Sequence, residues 1–302
     1  MIDILLATYN GEKFLANQLY SLLAQTYQNW RVLVHDDGSN DQTIAIIKQF
    51  ALLDKRIILI EDGIKFGDAA QNFLHLLNKY SNSDYIVFCD QDDIWFESKL
   101  QLLYENIKNQ QGGGAVYCNA YSYDGVKIIG DNVTSFKRKG LKDSLFLNGG
   151  VQGCSLMFNK ALKNDIGIYP EFIWMHDHFI TIFALTFGKI IYVDASLMLY
   201  RQHANNVTGN MNVTMRQRLK SFFNRRNPVI DQNHYDANVS FFSTYKERMD
   251  DAQIKLFNSY FLFPRVNLLK RIFIIFKNSF KIGNWSLALF IKTIIRKPIG
   301  NI

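Results

Sequence analysis

The chain predicts an α/β fold: a mostly parallel central sheet flanked by helices, followed by a basic, helical C-terminal extension. Three observations carry this. Short runs rich in β-branched and aliphatic residues alternate with segments whose apolar residues recur at helical spacing. Polar clusters fall just after the strand-like runs, where ligands gather in open sheets of this kind. The charge is also split: residues 1–210 hold 18 Lys and Arg against 22 Asp and Glu, whereas residues 211–302 hold 16 against 5.

The elements follow in order. Ile2 to Ala7 is strand-like, and Gly11 to Leu23 carries Phe14, Leu15, Leu19, Leu22 and Leu23 at helical spacing. Trp30 to His35 is a strand, Asp41 to Leu53 a helix, Arg56 to Ile60 a strand, Asp68 to Tyr80 a helix and Tyr85 to Cys89 a strand. Glu97 to Lys108 is helical, Gly112 to Gly114 a turn, Ala115 to Cys118 a strand, and Asn119 to Lys142 a polar excursion. Gly149 to Phe158 joins glycines to an apolar strand, which turn or bulge geometry would explain. Phe179 to Phe187 reads as an apolar helix and Ile190 to Val193 as a strand. Farther on, Arg216 to Phe223 and Leu268 to Phe276 read as helical, and Trp285 to Ile295 is another apolar run.

A length of 302 residues fits one large domain, or one domain with an appendage. The composition is that of a globular protein, 48% hydrophobic and 20% charged, with a high aromatic content of 14%. Met1 leads directly into Ile2 to Ala7 with no basic segment before it, so no signal peptide is expected. Cys89, Cys118 and Cys154 lack metal-type spacing, and an odd number without a secretion signal suggests reduced thiols in the cytoplasm. No stretch approaches the roughly 18 uncharged apolar residues of a membrane span. In the C-terminal region Leu269, Ile272, Phe273 and Phe276 share one helical face, while Lys270, Lys277 and Lys281 share another. Basic amphipathic helices of this kind suit an anionic membrane surface, and their aliphatic face disfavours nucleic acid as the partner.

The sharpest motif is Asp90-Gln91-Asp92-Asp93, directly after the strand ending at Cys89. Crowded carboxylates repel one another, and a hard divalent ion, Mg²⁺ or Mn²⁺, settles them while keeping positions for phosphate oxygens. A solvated acidic turn or helix start would account for the same residues. Two further strand ends carry polar motifs: Ala7-Thr8-Tyr9-Asn10-Gly11, and His35-Asp36-Asp37-Gly38-Ser39-Asn40-Asp41. Their convergence suggests a nucleotide pocket. With neither Gly-x-Gly-x-x-Gly nor a Walker loop, carboxylates and a metal would have to hold the nucleotide.

In this order the three motifs resemble those of the family 2 glycosyltransferases, inverting enzymes of the Rossmann-like GT-A fold. The resemblance covers roughly residues 1–210. It implies a catalytic domain over 1–210 that binds a nucleotide-sugar, and leaves 211–302 as the basic, membrane-interface region. By that resemblance Thr8, Tyr9, Asn10 and Asp37 hold the donor nucleotide, Asp90 lies near its ribose, and Asp92 binds the metal on the diphosphate. Lys65-Phe66-Gly67, with Asn72, resembles the family's next donor-side element. Gly150 and Gln152 fall where the family contacts acceptor or donor sugar, and Asp93, Trp95 and His176 join them as candidates.

Met175-His176-Asp177-His178 opens a helix, where a charged residue serves as a cap. In the family the position holds an acidic pair whose aspartate is the catalytic base. Here Asp177 keeps the carboxylate, and His176 in place of the first acid resembles rhamnosyltransferases. Inversion needs one base to take the acceptor proton while positive groups stabilise the departing diphosphate. Tyr200 to Gly209 matches the family's late donor-site loop, in which His203 would complete the metal shell and Arg201 would meet phosphate. The Gln-x-x-Arg-Trp motif of processive members is absent, which implies one sugar per encounter.

The function expected is therefore rhamnose transfer from dTDP-rhamnose to a lipid-linked glycan at the cytoplasmic face of the plasma membrane, with Mg²⁺ or Mn²⁺. A UDP-sugar hexosyl- or N-acetylhexosaminyltransferase is the alternative within the class. A nucleotidyltransferase would use the same sheet and metal, but the Gly-rich, basic loop it needs after the first strand is missing.

Overall fold

The apolar run Ile2–Thr8 forms β1, on which the sheet is built: β2 (Trp30–Asp36) and β4 (Tyr85–Cys89) flank it, both parallel. β3 (Ile57–Ile60) adds a further parallel strand beyond β2. In this computed structural model residues 1–134, 136–203 and 220–301 are described. They divide into two compact units, one of 1–134, 151–165 and 189–203, the other of 136–150, 166–188 and 220–301.

The first unit contains the sheet, in the order β3-β2-β1-β4-β8-β6-β9-β5, with β7 on β6. Here β5 is Ile94–Trp95, β6 Gly114–Tyr123, β7 Ile128–Gly130, β8 Leu156–Asn159 and β9 Lys189–Arg201. β8 runs against both β4 and β6, while β6 and β9 are again parallel, so the expected mostly parallel α/β sheet is present with antiparallel insertions. The connecting helices are α1 (Leu15–Leu23), α2 (Thr43–Leu53), α3 (Ala69–His75), α4 (Lys99–Ile107) and α5 (Lys160–Ile166).

Strand alternation sorts the core into two layers. Ile2, Ile4 and Leu6 of β1 join Val32, Val34 and Val87 in one cluster with Leu15, Leu19 and Leu22 of α1 and Leu100, Leu103 and Ile107 of α4. On the opposite face Phe88 meets Phe73 of α3 at 5.4 Å between ring centroids and Phe158 at 5.5 Å. Each such aliphatic or aromatic side chain, fully buried, contributes about 1.5–3 kcal/mol.

Three departures from the sequence reading have local causes. The predicted helix Asp68–Tyr80 is α only to His75 and widens to a π-turn over Leu76–Tyr80. The helix expected from Gly11 begins at Leu15, because Asn10 takes a positive φ of 47° and turns the chain first. Within the polar excursion, β6 continues to Tyr123 and pairs with β7.

The second unit is helical: α6 (His176–Phe187), α7 (Gln232–Tyr245), α8 (Asp251–Leu262), α9 (Leu268–Asn278) and α10 (Ser286–Ile295), with β10 (Pro228–Asp231) parallel to β11 (Lys297–Gly300). α7 and α8 were not evident as helices in the sequence; capping aspartates, Asp231 and Asp250, start them, the second in a capping box with Gln253. Phe146 lies 4.9–5.2 Å from the rings of Tyr260, Phe263 and Phe280. The C-terminal stretch therefore shares a core with 136–150 and 166–188, whereas the sequence drew its boundary at 210. Of the helix expected over Arg216 to Phe223, residues 216–219 lie outside the described residues. Among the described residues no helix is long and apolar enough to cross a membrane.

Candidate active site

Parallel register sets Thr8 directly beside Asp36 at the carboxyl ends of β1 and β2. Thr8 Oγ1 donates to Asp36 Oδ2 at 2.8 Å, and Asp36 also accepts from Ser39 Oγ at 2.6 Å and from the Gly38 and Ser39 amides. Asp36, which sequence reasoning gave no role, is thus the hub that shapes this loop. The turn is locked to the β1 loop by Asn10, whose amide donates to Ser39 Oγ at 2.8 Å and whose Oδ1 accepts from the Asn40 amide at 2.9 Å. Thr8 and Asn10, expected on the donor, hold these two loops together.

Asp37 accepts the Phe66 amide, and Lys65 lies across Gly38: a Cβ there would stand 2.8 Å from Lys65 Cδ, Cε and Nζ. Gly38 has a φ of 92°, so only glycine combines this turn with that cover. Residues 37–38 and 65–66, about 28 positions apart and up to roughly 95 Å apart in a fully extended chain, are brought together here. The third loop joins through Gln91, whose amide both accepts from the Tyr9 N–H and donates to the Tyr9 carbonyl, each at 3.0 Å. The Tyr9 side chain is left 55% exposed and available for stacking.

Beyond β4 the acids separate by environment. Asp92 Oδ2 lies 2.6 Å from His203 Nε2, with both side chains partly exposed. The structure therefore unites the two expected metal ligands, and His203 also stacks on Phe14 at 5.1 Å. Asp90 is half-buried, and Asp90, Asp93 and Cys154 offer ligand atoms within 4.8 Å of one another, a possible metal site. Burial, then the nearby Asp92 and Asp90, push the Asp93 carboxyl well up, and burial does the same to the Cys154 thiol. Of these groups Asp90, Asp92 and His203 are the partly exposed ones, whereas Asp93 and Cys154 are enclosed.

Two expected sugar contacts are corrected by burial. Asp93 is fully enclosed and accepts the Arg201 amide at 3.0 Å, and Trp95 is 2% exposed with Lys99 Nζ 3.4 Å from its ring centre. Neither side chain reaches the surface where a sugar would lie. Arg201, expected on phosphate, is buried at 5% exposure; its Nε donates to the Asp92 carbonyl at 2.7 Å and its guanidinium lies over Phe14 and Tyr123. It braces the acidic loop. Lys99 went unnoticed in the sequence, where a single lysine on a helix carries no signal. Wholly buried, its ammonium donates to the Cys154 carbonyl at 2.6 Å, and burial draws its pKa down. Gln152 receives a hydrogen bond from Thr134 Oγ1 at 3.2 Å.

In the second unit, Asp177 stands in the first turn of α6, where the helix dipole favours an anion, and its Oδ1 accepts the His178 amide at 2.5 Å. Gly150 packs on this turn: a Cβ would fall 2.6 Å from the Asp177 carbonyl and the His178 nitrogen, so Gly150 is there for backbone approach. His176 is buried, and that burial lowers its pKa to about 3. Residues 204–209 of the late loop lie outside the described residues.

Residues 3–165 match the family described as Glycosyl transferase family 2. The chain belongs to that family. It is a glycosyltransferase of GT-A fold. It is 32% identical over 231 residues to the dTDP-rhamnosyl transferase RfbG of Shigella flexneri, covering 71% of this chain and 77% of that protein. It is 27% identical over 217 residues to the UDP-Glc:alpha-D-GlcNAc-diphosphoundecaprenol beta-1,3-glucosyltransferase WfgD of Escherichia coli, covering 70% and 80%. Among solved structures, residues 1–349 of S. aureus TarS in complex with UDP-GlcNAc superpose with a TM-score of 0.62 at 16% identity, over 92% of this chain and 80% of that one. The mannosyltransferase PcManGT of Pyrobaculum calidifontis, in complex with GDP-Man and Mn2+, gives 0.53 at 14%, over 97% and 86%. At those identities the structures speak for the fold alone.

Proposed function

We propose that this glycosyltransferase moves L-rhamnose, with inversion, from dTDP-rhamnose onto a lipid-linked precursor of a cell-surface polysaccharide. The observation that carries the choice of sugar is the match to a protein named as a dTDP-rhamnosyl transferase, at 32% identity. The match to a glucosyltransferase named for UDP-Glc, at 27%, favours a UDP-hexose as the second reading.

In this reading the nucleotide lies on the three loops tied by Asp36, Asn10 and Gln91, with Tyr9 stacking on the base and Asp37 and Lys65 beside it. Mg²⁺ or Mn²⁺ would be held by Asp92 and His203, with Asp90 near the ribose. Bound there, the ion would neutralise charge developing on the departing diphosphate. Asp177, in the first turn of α6 where the helix dipole favours an anion, takes the proton of the acceptor hydroxyl as that oxygen attacks the anomeric carbon. The acceptor's lipid would keep the enzyme at the inner membrane surface, where the basic residues of 220–301 meet anionic headgroups.

A panel of nucleotide-sugars tests the reading, with Mg²⁺ or Mn²⁺ present and release of nucleoside diphosphate measured. Turnover should be greatest with dTDP-rhamnose; preference for UDP-glucose would decide for the second reading. Asp92→Asn tests the ion's place: isothermal titration of nucleoside diphosphate with Mn²⁺ should lose the metal-dependent part of the affinity, and an unchanged dependence would remove Asp92 from the shell.

A further inference from the structure

Behind the donor loops the first unit holds a second cluster of ligating side chains. His35 is the penultimate residue of β2, Asp62 follows β3, and His75 closes the α part of α3 just before the π-turn; their donor atoms lie within 4.8 Å of one another. Single π-turns in α-helices often mark functional sites, and this one brings Tyr80 round to donate to Asp62 Oδ2 at 2.7 Å.

The hydrogen bonds fix how the imidazoles point. Asn72 Nδ2 donates to the His35 carbonyl at 3.3 Å, which turns Asn72 Oδ1 toward His35 Nδ1 at 2.7 Å. Nδ1 therefore carries the proton. Nε2 faces Asp62 Oδ1 at 3.1 Å, and in a neutral ring it presents a lone pair to a carboxylate oxygen. A cation between them resolves that opposition. On the far side His75 Nε2 lies 2.6 Å from Asp62 Oδ2. Burial works against the Asp62 anion, but hydrogen bonds from His75, Tyr80 and the Ile64 amide outweigh it and hold the carboxyl well below its usual range. A ring whose second N–H is held by an amide carbonyl, beside a carboxylate anchored by a hydroxyl and an amide, is the support that metal-ligating histidines and carboxylates carry.

We propose that His35, Asp62 and His75 bind a transition-metal ion of the zinc class, in a site separate from Asp92 and His203. Two imidazoles and one carboxylate suit a borderline ion better than Mg²⁺ or Ca²⁺, and three protein ligands leave a fourth position for water. The nearest competing cation is Lys79, whose Nζ stands 3.6 Å from Asp62 Oδ2 on a side chain 53% exposed, able to turn into solvent. Phe66 lies against His75 at 5.0 Å and His35 at 5.9 Å, and its amide is on Asp37. The ion would thus pin the loop that carries Lys65, and its role there is structural.

Cobalt(II) is the probe, because its visible absorption reports four-coordination. The full-length protein, stripped with a chelator, should bind one equivalent of Co²⁺ with an intense visible band that Zn²⁺ displaces. His75→Ala should abolish the band and Asp92→Asn should leave it intact. Tyr80→Phe, which removes only the supporting hydroxyl and spares all three ligands, should weaken Co²⁺ affinity by about 10–100-fold, and gives a reading if His75→Ala fails to fold. Absence of the band in the unmodified protein, a hydrogen-bonded cluster only, overturns the proposal. So does a band that survives His75→Ala, vanishes in Asp92→Asn, or is unmoved by Tyr80→Phe.

Discussion

At the scale of single residues, His176 and Asp177 sit side by side at the start of α6, both buried. Burial drives His176 to a pKa of about 3, so at neutral pH its ring is uncharged and a weak base. The Asp177 carboxylate stands in the first turn of α6, where the helix dipole favours an anion. Asp177→Asn keeps the shape and removes the base, so transfer should fall by about 10²–10⁴-fold with donor affinity nearly unchanged. His176→Ala should cost turnover much less. Turnover at saturating donor, with donor affinity measured in parallel, decides: a larger defect in His176→Ala would reverse the roles, and lost donor affinity in Asp177→Asn would make that residue a binding group.

At the scale of elements, α9 carries both a buried and a bare apolar face. Ile274 and Ile275 are buried, whereas Leu269, Phe273 and Phe276 are 78%, 62% and 54% exposed, and Lys270 and Lys277 lie on the same helix. Leu287 and Trp285, at the start of α10, are 58% and 69% exposed. Aromatic and aliphatic groups beside lysines suit a bilayer interface, each lysine adding about 1 kcal/mol at an anionic surface. Removing the whole stretch would take out Phe263, Phe280 and Leu289, which are core, so the test must be confined to the exposed face. Leu269→Ser with Phe273→Ser should reduce sedimentation with anionic liposomes by at least tenfold, about 1.4 kcal/mol, and leave donor hydrolysis unchanged. Equal sedimentation of variant and parent would refute the interfacial role of α9.

At the scale of the whole molecule, stability should fall on the acid side of neutrality. The second unit buries His178 and His234 with ring centroids 4.6 Å apart. His234 is held neutral by geometry: its Nδ1 accepts the Gly149 amide while Nε2 donates to the Leu145 carbonyl. Burial lowers His234 to about 4 and His178 well below 6.5, as it lowers His176 to about 3. The unfolded chain therefore takes up protons from about pH 6.5 downward while the folded chain does not, and stability drops over pH 6.5 to about 3. Asp3 acts lower on the scale: despite burial, hydrogen bonds from Arg31, Ser83 and Asn82 hold it at about 2, so its contribution disappears between 3.8 and 2. Urea unfolding at pH 7, 6 and 5 should show a falling midpoint, with a shallower slope in His178→Phe. A midpoint constant across that range would contradict the buried neutral histidines.

Strand and helix periodicity in the first two hundred residues made the α/β sheet legible, because a parallel sheet covered on both faces leaves continuous apolar runs that few other structures produce. The acidic and hydroxyl motifs were legible for a related reason, since they stand out where such runs stop. Their division of labour was not. Asp36 and Asp37 are neighbours in sequence, as are Asp92 and Asp93, yet Asp36 organises a loop, Asp92 meets His203 and Asp93 is enclosed. Nor could spacing place His35 with Asp62 and His75, show Lys99 beneath the acidic loop, or bring Phe146 against Phe263 and Phe280. Residue type and local period depend on neighbours along the chain and are written there; the burial, charge state and partner of a side chain depend on segments that only folding brings together.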